Sequence, residues 1–454
     1  MKVSVLIYAL NSLSFIETCV RSVMNQTLRE IEILVIDGGS TDGTVEAVKE
    51  LAQTDARIRI IHSSAGVGRQ FNTGLREAKG EYIGICESDD YLLPNMYEKQ
   101  YEIAESCQLD MLRADAIHFI ETDRGEFSSL SRLSRQETLY YRILEPAHNA
   151  EILKSGMGNF WSGLYRRKFL LEQKVFMNET KGAAYQDTSF LFLASIKAKR
   201  VMFSHEAFYC YRLDNPGSSV NRPQRITMLI DEYALLKKRL LEEGLFEAYK
   251  EIYLSWKVNG YLGFYDSLSE ELKESFRGLM YRDIRSELES GGFSGGELTE
   301  KGNAVADAVR ESLTALHTCL HQLYDGFYAS KKALDRLERQ RNVMIFGAGD
   351  MGKLVYRYLT HRGQSIKAYI DNNQKLWGRK VGQLPVMEPA RAVGEYPDSV
   401  YVIANVDNFQ AIKRQLSAMG VSEGNMIVCN DYGFFFKHVL LKSLKEETSD
   451  DKLR

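Results

Sequence analysis

Three carboxylates fall within four residues at Glu87-Ser88-Asp89-Asp90, directly after the apolar run Tyr82 to Cys86. Like charges so close together are costly where a buried strand meets a cleft, unless something positive joins them. A divalent cation is the usual partner. A hard, oxygen-liganded metal takes one or two carboxylates and fills its other positions with substrate phosphates and water. The alternative is a solvated acidic turn, or a helix start capped by Asp89 or Asp90. A second candidate is the run Phe346-Gly347-Ala348-Gly349-Asp350-Met351-Gly352, with Asp371 farther on. Placed between a strand and a helix, such glycines allow a tight turn and close backbone approach to a pyrophosphate, and the acid can reach a ribose hydroxyl. Ligand binding through Gly347, Gly349 and Gly352 and a purely structural turn both remain open. His317, Cys319 and His321 do not make a metal site, because on a helix the histidines share one face while the cysteine points elsewhere.

These residues need elements to hold them. The first ninety or so positions alternate strand and helix patterns: Val3 to Ile7, Ser14 to Met24, Ile31 to Ile36, Val45 to Gln53, Ile58 to His62, Gly66 to Ala78 and Tyr82 to Cys86. That order predicts a parallel sheet covered by helices, with ligands beyond the carboxyl ends of its strands. From Asn221 to about Gln340 the spacing becomes helical, as in Ile226 to Leu241 and Val305 to Leu337, broken by the glycine-rich Gly291 to Gly296. Alternation then resumes with Val343 to Phe346, Met351 to Leu359, Ser365 to Ile370, Val400 to Ala404 and Asn408 to Met419. The expected organisation is a catalytic domain over 1–222, a helical linker over 223–340, a small α/β domain over 341–432, and an amphipathic, charged tail over 433–454.

The chain has 454 residues, of which 44% are hydrophobic and 26% charged, so it is neither disordered nor a repetitive stalk. Lys plus Arg number 58 against 61 Asp plus Glu, leaving no global basic field for nucleic acid. An anionic ligand must therefore be gathered locally. Six cysteines without a CxxC pair read as reduced thiols, which favours a cytoplasmic protein. Val3 to Leu10 runs into Asn11 without a cleavage site and reads as a buried strand rather than a signal peptide. No run reaches the roughly 20 apolar residues that span a bilayer. The stretch Phe434 to Lys442 is basic and amphipathic, and either rests on the inner face of a plasma membrane or docks as a core helix.

Together, Val3-Ser4-Val5-Leu6-Ile7, Gln26-Thr27, Asp37-Gly38-Gly39-Ser40-Thr41-Asp42-Gly43-Thr44, Asn72-Thr73-Gly74-Leu75 and the acidic cluster resemble the N-terminal half of family 2 glycosyltransferases, the inverting enzymes of the GT-A fold. Order and spacing carry the match, not any single piece. The resemblance implies that Glu87 and Asp89, with Ser88 between them, hold Mn or Mg on the diphosphate of a nucleotide-sugar donor, and that Asp37 binds the nucleobase. Asn11, Arg69 and Asn72 join the donor site on the same grounds. Trp161 to Arg167 followed by Tyr185-Gln186-Asp187-Thr188-Ser189-Phe190 resembles the acceptor half, where the family carries Glu-Asp; Asp187 keeps the second acid and is the implied general base, with a helix N-cap as its alternative role. Phe208 to Arg212 and the following Asn215 to Asn221 resemble the strand and loop that close over the diphosphate, so Arg212 and Ser218 are expected there.

The chain also departs from the family pattern. Where Pro-x-Tyr-Asn is usual it has Tyr8-Ala9-Leu10-Asn11, which removes an aromatic contact to the base. Asp-Asp-Gly-Ser becomes Asp37-Gly38-Gly39-Ser40, and Ala-Arg-Asn becomes Gln70-Phe71-Asn72. Near the other end, Asp371-Asn372-Asn373, Trp377-Gly378 and Leu384-Pro385-Val386 resemble small Rossmann-like domains appended to sugar acyltransferases and methyltransferases, which bind a nucleotide sugar or mediate assembly. The expectation is a metal-dependent inverting glycosyltransferase with a UDP-linked donor and a saccharide or lipid-linked saccharide acceptor, serving surface polysaccharide synthesis. Its rivals are a nucleotide-sugar-binding scaffold with a decayed site and, through the C-terminal fingerprint, an NAD-dependent redox enzyme.

Overall fold

A computed structural model describes residues 1–122, 125–134, 136–149, 152–153, 159–180, 182, 184–215, 217, 225–290, 298–337, 341–405, 408–430 and 435. The chain divides into two compact units, one of residues 1–121 and 126–317, the other of 122–125 and 318–454.

In the first unit the strands are β1 (Val3–Ala9), β2 (Ile31–Asp37), β3 (Ile58–His62), β4 (Tyr82–Glu87), β5 (Tyr91–Leu92), β6 (Met111–Thr122), β7 (Gly125–Ser131), β8 (Gly163–Arg166) and β9 (Val201–Arg212). Between them lie α1 (Leu13–Met24), α2 (Thr44–Ala52), α3 (Val67–Glu77), α4 (Met96–Ser106), α5 (Arg167–Glu172) and α6 (Gln186–Lys197). The sheet order is β3-β2-β1-β4-β8-β6-β9-β5, with β7 on β6. β1, β2, β3 and β4 run parallel, whereas β8 is antiparallel to both β4 and β6. Every residue of β1 and β2 is buried, as near-continuous apolar runs in a sheet covered on both faces should be. α1 buries Ile16, Cys19, Val20 and Val23 at helical spacing. Gly163 is required where β8 meets β6, because a Cβ there would lie 1.9 Å from the Leu112 carbonyl oxygen.

Pairing register decides what gathers at the carboxyl edge. Ala9 lies beside Asp37 and Tyr8 beside Glu87, so the ends of β1, β2 and β4 converge there. The chain leaves β1 toward β2 and β3 and returns to β4 on the other side. That reversal opens a crevice at the carboxyl ends.

Helices α7 (Arg225–Glu242), α8 (Phe246–Asp266), α9 (Glu270–Glu289) and α10 (Glu300–Glu311) fold into the same unit. Glu287 ties three of them together: buried Lys257 of α8 reaches it at 2.8 Å and Asp283 at 2.7 Å, and Lys237 of α7 meets it at 2.6 Å. The helical run expected over Val305 to Leu337 is interrupted. Ser312 takes an extended backbone, separating α10 from α11 (Leu313–Asp335), and the division between units falls within α11.

In the second unit β10 (Val343–Phe346), β11 (Ile366–Ile370), β12 (Lys380–Val381), β13 (Leu384–Met387), β14 (Val400–Ala404) and β15 (Met426–Cys429) form a sheet ordered β12-β13-β11-β10-β14-β15. All its pairs are parallel except β12 with β13. Helices α12 (Asp350–His361), α13 (Pro389–Glu395) and α14 (Phe409–Ala418) connect the strands. Met344, Phe346, Ile370, Tyr401, Ile403, Ile412 and Leu416 form its core. Of the expected membrane-facing stretch only Phe435 is described; it is buried, with its ring 5.5 Å from that of Tyr358.

Candidate active site

The loop after β2 is tied by the side chain expected to bind the base. Asp37 is buried and accepts hydrogen bonds from the amides of Gly39 at 3.0 Å and Ser40 at 3.1 Å. Burial pushes its carboxyl up, but Ser40 and the Gly39 amide outweigh that and hold it below the usual range. Asn11, with φ of 52°, closes the facing turn: its Oδ1 accepts from the Thr41 amide at 2.9 Å and its own amide donates to Ser40 Oγ at 2.9 Å. Leu10 is 42% exposed beside this loop, offering an apolar surface where the family pattern has an aromatic ring.

At the end of β4 the three acids separate into different roles. Asp90 is buried, takes the Tyr209 hydroxyl at 2.6 Å and the Arg212 amide at 2.7 Å, and ties the acidic turn to β9. Burial and the charges of Asp89 and Glu87 nonetheless push its carboxyl well up. Glu87 and Asp89 line the crevice, half-buried. Asp89 accepts from the Asn215 amide at 2.7 Å, and Ser88 meets Ser12 at 2.8 Å. Burial, then Asp89, then Asp187 push the Glu87 carboxyl up to about 8. This is a pair of oxygen donors with excess negative charge, the chemistry that suits a hard divalent cation sharing its remaining positions with phosphate and water. Among the described residues no three His, Cys, Asp or Glu form a ready cage.

Asp187 lies in the first turn of α6, whose N-cap position is held by Tyr185 at φ 72°. It is close enough to contribute to the raised carboxyl of Glu87 and the raised hydroxyls of Tyr8, Tyr165 and Tyr211. The fold thus brings the acid of β4 and the acid of α6, a hundred residues apart in sequence, to one crevice.

Other expected donor residues do structural work in this conformation. Asn72 is buried and clamps Met177, accepting from its amide at 3.0 Å and donating to its carbonyl at 2.9 Å. Arg69 is half-exposed, bonded to Ser64 Oγ at 2.6 Å and 3.4 Å from Glu179. Arg212 is buried between Phe15 and Phe119, donating to the Asp89 carbonyl at 3.0 Å and Glu121 at 3.0 Å, with Asp214 at 3.3 Å. It shapes the acidic turn from beneath. Ser218 lies outside the described residues. Two departures from the family pattern explain each other: Tyr8 and Phe71 pack edge to face at 6.4 Å, and Phe71 continues to Phe190 of α6 at 4.8 Å. An aromatic core thereby replaces a proline and an arginine.

Sequence reasoning passed over several residues of this site. Trp161 stacks on Tyr209 at 4.1 Å and on Tyr211 at 4.8 Å, next to the acidic turn. Glu232 of α7 is buried and receives Asn178 Nδ2 at 2.8 Å, close to Asp187. An acid on the apolar stripe Leu229, Tyr233, Leu236, Leu240 was the available signal.

In the second unit, Gly347 has φ 112°, and a Cβ there would lie 2.5 Å from the Ala404 carbonyl oxygen; at Gly352 it would lie 1.9 Å from that of Gly347. Both glycines are fixed by packing. A Cβ on Gly349 would meet nothing within 4 Å. Asp371 accepts from the amides of Ala348 at 3.0 Å and Asn373 at 2.8 Å, so it fastens the glycine turn. His317 is held by Arg277 at 2.6 Å.

Comparison with known proteins agrees with this geometry. Residues 4–172 match the model for glycosyl transferase family 2. The chain is 32% identical over 232 residues to the uncharacterized glycosyltransferase EpsJ of Bacillus subtilis, covering 50% of this chain and 65% of that one, so it spans just under two thirds of that relative. It is 26% identical to the cholesterol galactosyltransferase of Borreliella burgdorferi over 57% of this chain and 73% of that one. The crystal structure of S. aureus TarS 1-349 superposes with a TM-score of 0.54 at 18% identity, over 72% of this chain and 92% of that one, and the same protein has been crystallised with UDP-GlcNAc. Over its N-terminal part the chain is thus similar to family 2 glycosyltransferases, and its first unit shares its fold with the TarS structure.

Proposed function

We propose that the first unit transfers a sugar, with inversion, from a UDP-linked donor to a hydroxyl of a saccharide or lipid-linked saccharide in surface polysaccharide synthesis, at the cytoplasmic side of a membrane. One observation carries the reading: Glu87 lies near enough to Asp89 and Asp187 that their charges, added to burial, hold its carboxyl at about 8. Those are the two acidic stations such a reaction needs, one at the leaving diphosphate and one at the attacking hydroxyl. The complexes of TarS with UDP and UDP-GlcNAc support the donor class.

In this reading Asp37, kept ionised by its amide donors, accepts an N–H of the base ring, and Leu10 covers the ring's face. Asp89 and Glu87 would hold Mn or Mg, which when bound supplies positive charge to the departing diphosphate. Asp187 takes the proton of the acceptor hydroxyl as its oxygen bonds to the anomeric carbon, while the bond from that carbon to phosphate oxygen breaks and UDP leaves with the electron pair. No protein nucleophile is required, since one displacement inverts the centre. The Rossmann-like second unit either binds a nucleotide sugar over Gly349 or serves assembly.

The test is a screen of nucleotide sugars with Mn and then with chelator, following release of nucleoside diphosphate, with NADH titrated in parallel. Metal-dependent release is expected, and Asp187→Asn should abolish it while UDP affinity stays within about threefold. Binding without release would establish the scaffold instead, and turnover of NADH the redox enzyme.

A further inference from the structure

The segment leading to Asp187 is strapped down from two sides. From α3, Asn72 clamps Met177 through both its backbone groups, and Gly68 packs so tightly on Asn178 that a Cβ would sit 2.0 Å from its carbonyl oxygen. From α7, Glu232 accepts Asn178 Nδ2 at 2.8 Å, and the same amide reaches Ser189 Oγ at 3.2 Å, two residues beyond Asp187. Gln186, the residue before Asp187, donates to Thr180 Oγ1 at 2.9 Å. Glu232 is 2% exposed, and besides Asn178 its carboxyl receives the Ser189 hydroxyl and amide, so it caps the start of α6 from α7. Burying an ionisable group there carries a cost that a neutral side chain would not.

We propose that Glu232 is a positioning residue for Asp187, fixing the start of α6 and placing a second ionisable carboxyl beside the base. The inference rests on the assignment of Asp187 as base. The surrounding groups are defined: Asp187 is faced by Glu87 of β4, Tyr8 of β1, Tyr165 of β8, Tyr211 of β9, and Glu232 and Tyr233 of α7, with Arg113 of β6 behind Tyr165 at 2.7 Å. Burial pushes the Glu232 carboxyl up, Asp187 adds to this, and Ser189 and Asn178 partly offset it, leaving it at about 7. Below that pH Glu232 is neutral and only orients the segment. Above it, the added negative charge raises the proton affinity of Asp187 and makes it a stronger base, within a coupled pair of carboxyls.

The experiment measures release of UDP from UDP-N-acetylglucosamine with Mn by the full chain between pH 6 and 8, for wild type, Glu232→Gln, Glu232→Ala and Asp187→Asn, with thermal melting of each. Wild-type kcat should rise by about 3- to 10-fold across this range as Glu232 ionises beside the base. Glu232→Gln keeps the acceptor for Asn178 and should match wild type within about threefold at pH 6, melt no lower, and lack the rise. Glu232→Ala should lose about 10- to 100-fold in kcat at unchanged KM, because orientation is lost as well. A Glu232→Gln profile that follows wild type, or a Glu232→Ala variant with wild-type kcat, would overturn the inference while a dead Asp187→Asn leaves the base assignment standing. An active Asp187→Asn, or no release by wild type, would instead remove the parent reading and this inference with it.

Discussion

Replacing Glu232 by glutamine should stabilise the protein in alkaline solution and leave it nearly unchanged in mild acid. The Glu232 carboxyl stands at about 7 in the folded chain against 4.5 for an ordinary glutamate. A carboxyl raised by folding binds its proton more tightly in the native state, so its favourable contribution exists while it is protonated and is lost as pH rises toward the folded value. Linkage puts the folding penalty of this one group at about 1 kcal/mol at pH 5 and about 3 kcal/mol at pH 8. Glutamine keeps an oxygen for Asn178 Nδ2 and carries no charge, so the variant should gain about 2 kcal/mol more at pH 8 than at pH 5. For a unit of this size that is a rise in Tm of roughly 4 °C, read by calorimetry on metal-free protein at both pH values. If the variant melted below wild type at pH 8 by as much as at pH 5, the carboxylate would be a net favourable partner in the native state, and the argument for a strained charge beside Asp187 would be wrong.

Two further outcomes follow from the geometry. Asp89→Ala should abolish metal-dependent release of UDP, with at least a hundredfold loss, yet shift Tm by less than about 2 °C, because Asp89 is partly exposed and its carboxylate is held by the Asn215 side-chain amide; retained turnover in the presence of chelator would refute the assignment. In the second unit, Gly352→Ala should lower the stability of that unit by about 2 kcal/mol or more through the collision with Gly347, whereas Gly349→Ala, meeting nothing within 4 Å, should be within about 1 kcal/mol of wild type. Equal loss for both in thermal melting would mean that the turn is not packed as described.

Much of the first sheet was legible because its residues carry one message at two levels. Ile58 to His62 reads as a strand from its apolar, β-branched run and is β3 to the residue; β2 and β4 each extend one position past the apolar reading, to Asp37 and Glu87. That extra residue matters, since an acid ending a buried strand reads as loop in the sequence but is placed by the ladder in the fold. Roles within the acidic cluster were not legible. Asp89 and Asp90 are identical in type and adjacent, and only the approach of Tyr209 and Arg212 from β9, more than a hundred residues away, makes one a tether and the other a crevice acid. From its residues alone Asp187 read more readily as an N-cap than as a base, and the left-handed Tyr185 holds the cap position instead, leaving Asp187 in the first turn. Long-range pairing decides such cases, and a single sequence does not display it.

The nearly neutral chain conceals an uneven distribution of charge. Glu87, Asp89, Asp187 and Glu232 gather about one crevice, while Arg212, the cation beside the acidic turn, already serves Glu121 and Asp214. A diphosphate entering this crevice adds negative charge to a site where burial and neighbouring acids already raise Glu87 and Glu232. Under the proposed reading the donor and its cation must therefore arrive as one electrostatic unit. Burial, with this repulsion added, keeps proton affinity high on Glu87 and Glu232, the acids on either side of the proposed base. The cost of crowding carboxylates and the capacity to remove a proton from a sugar hydroxyl are then two aspects of one arrangement, set by the ends of β4, α6 and α7.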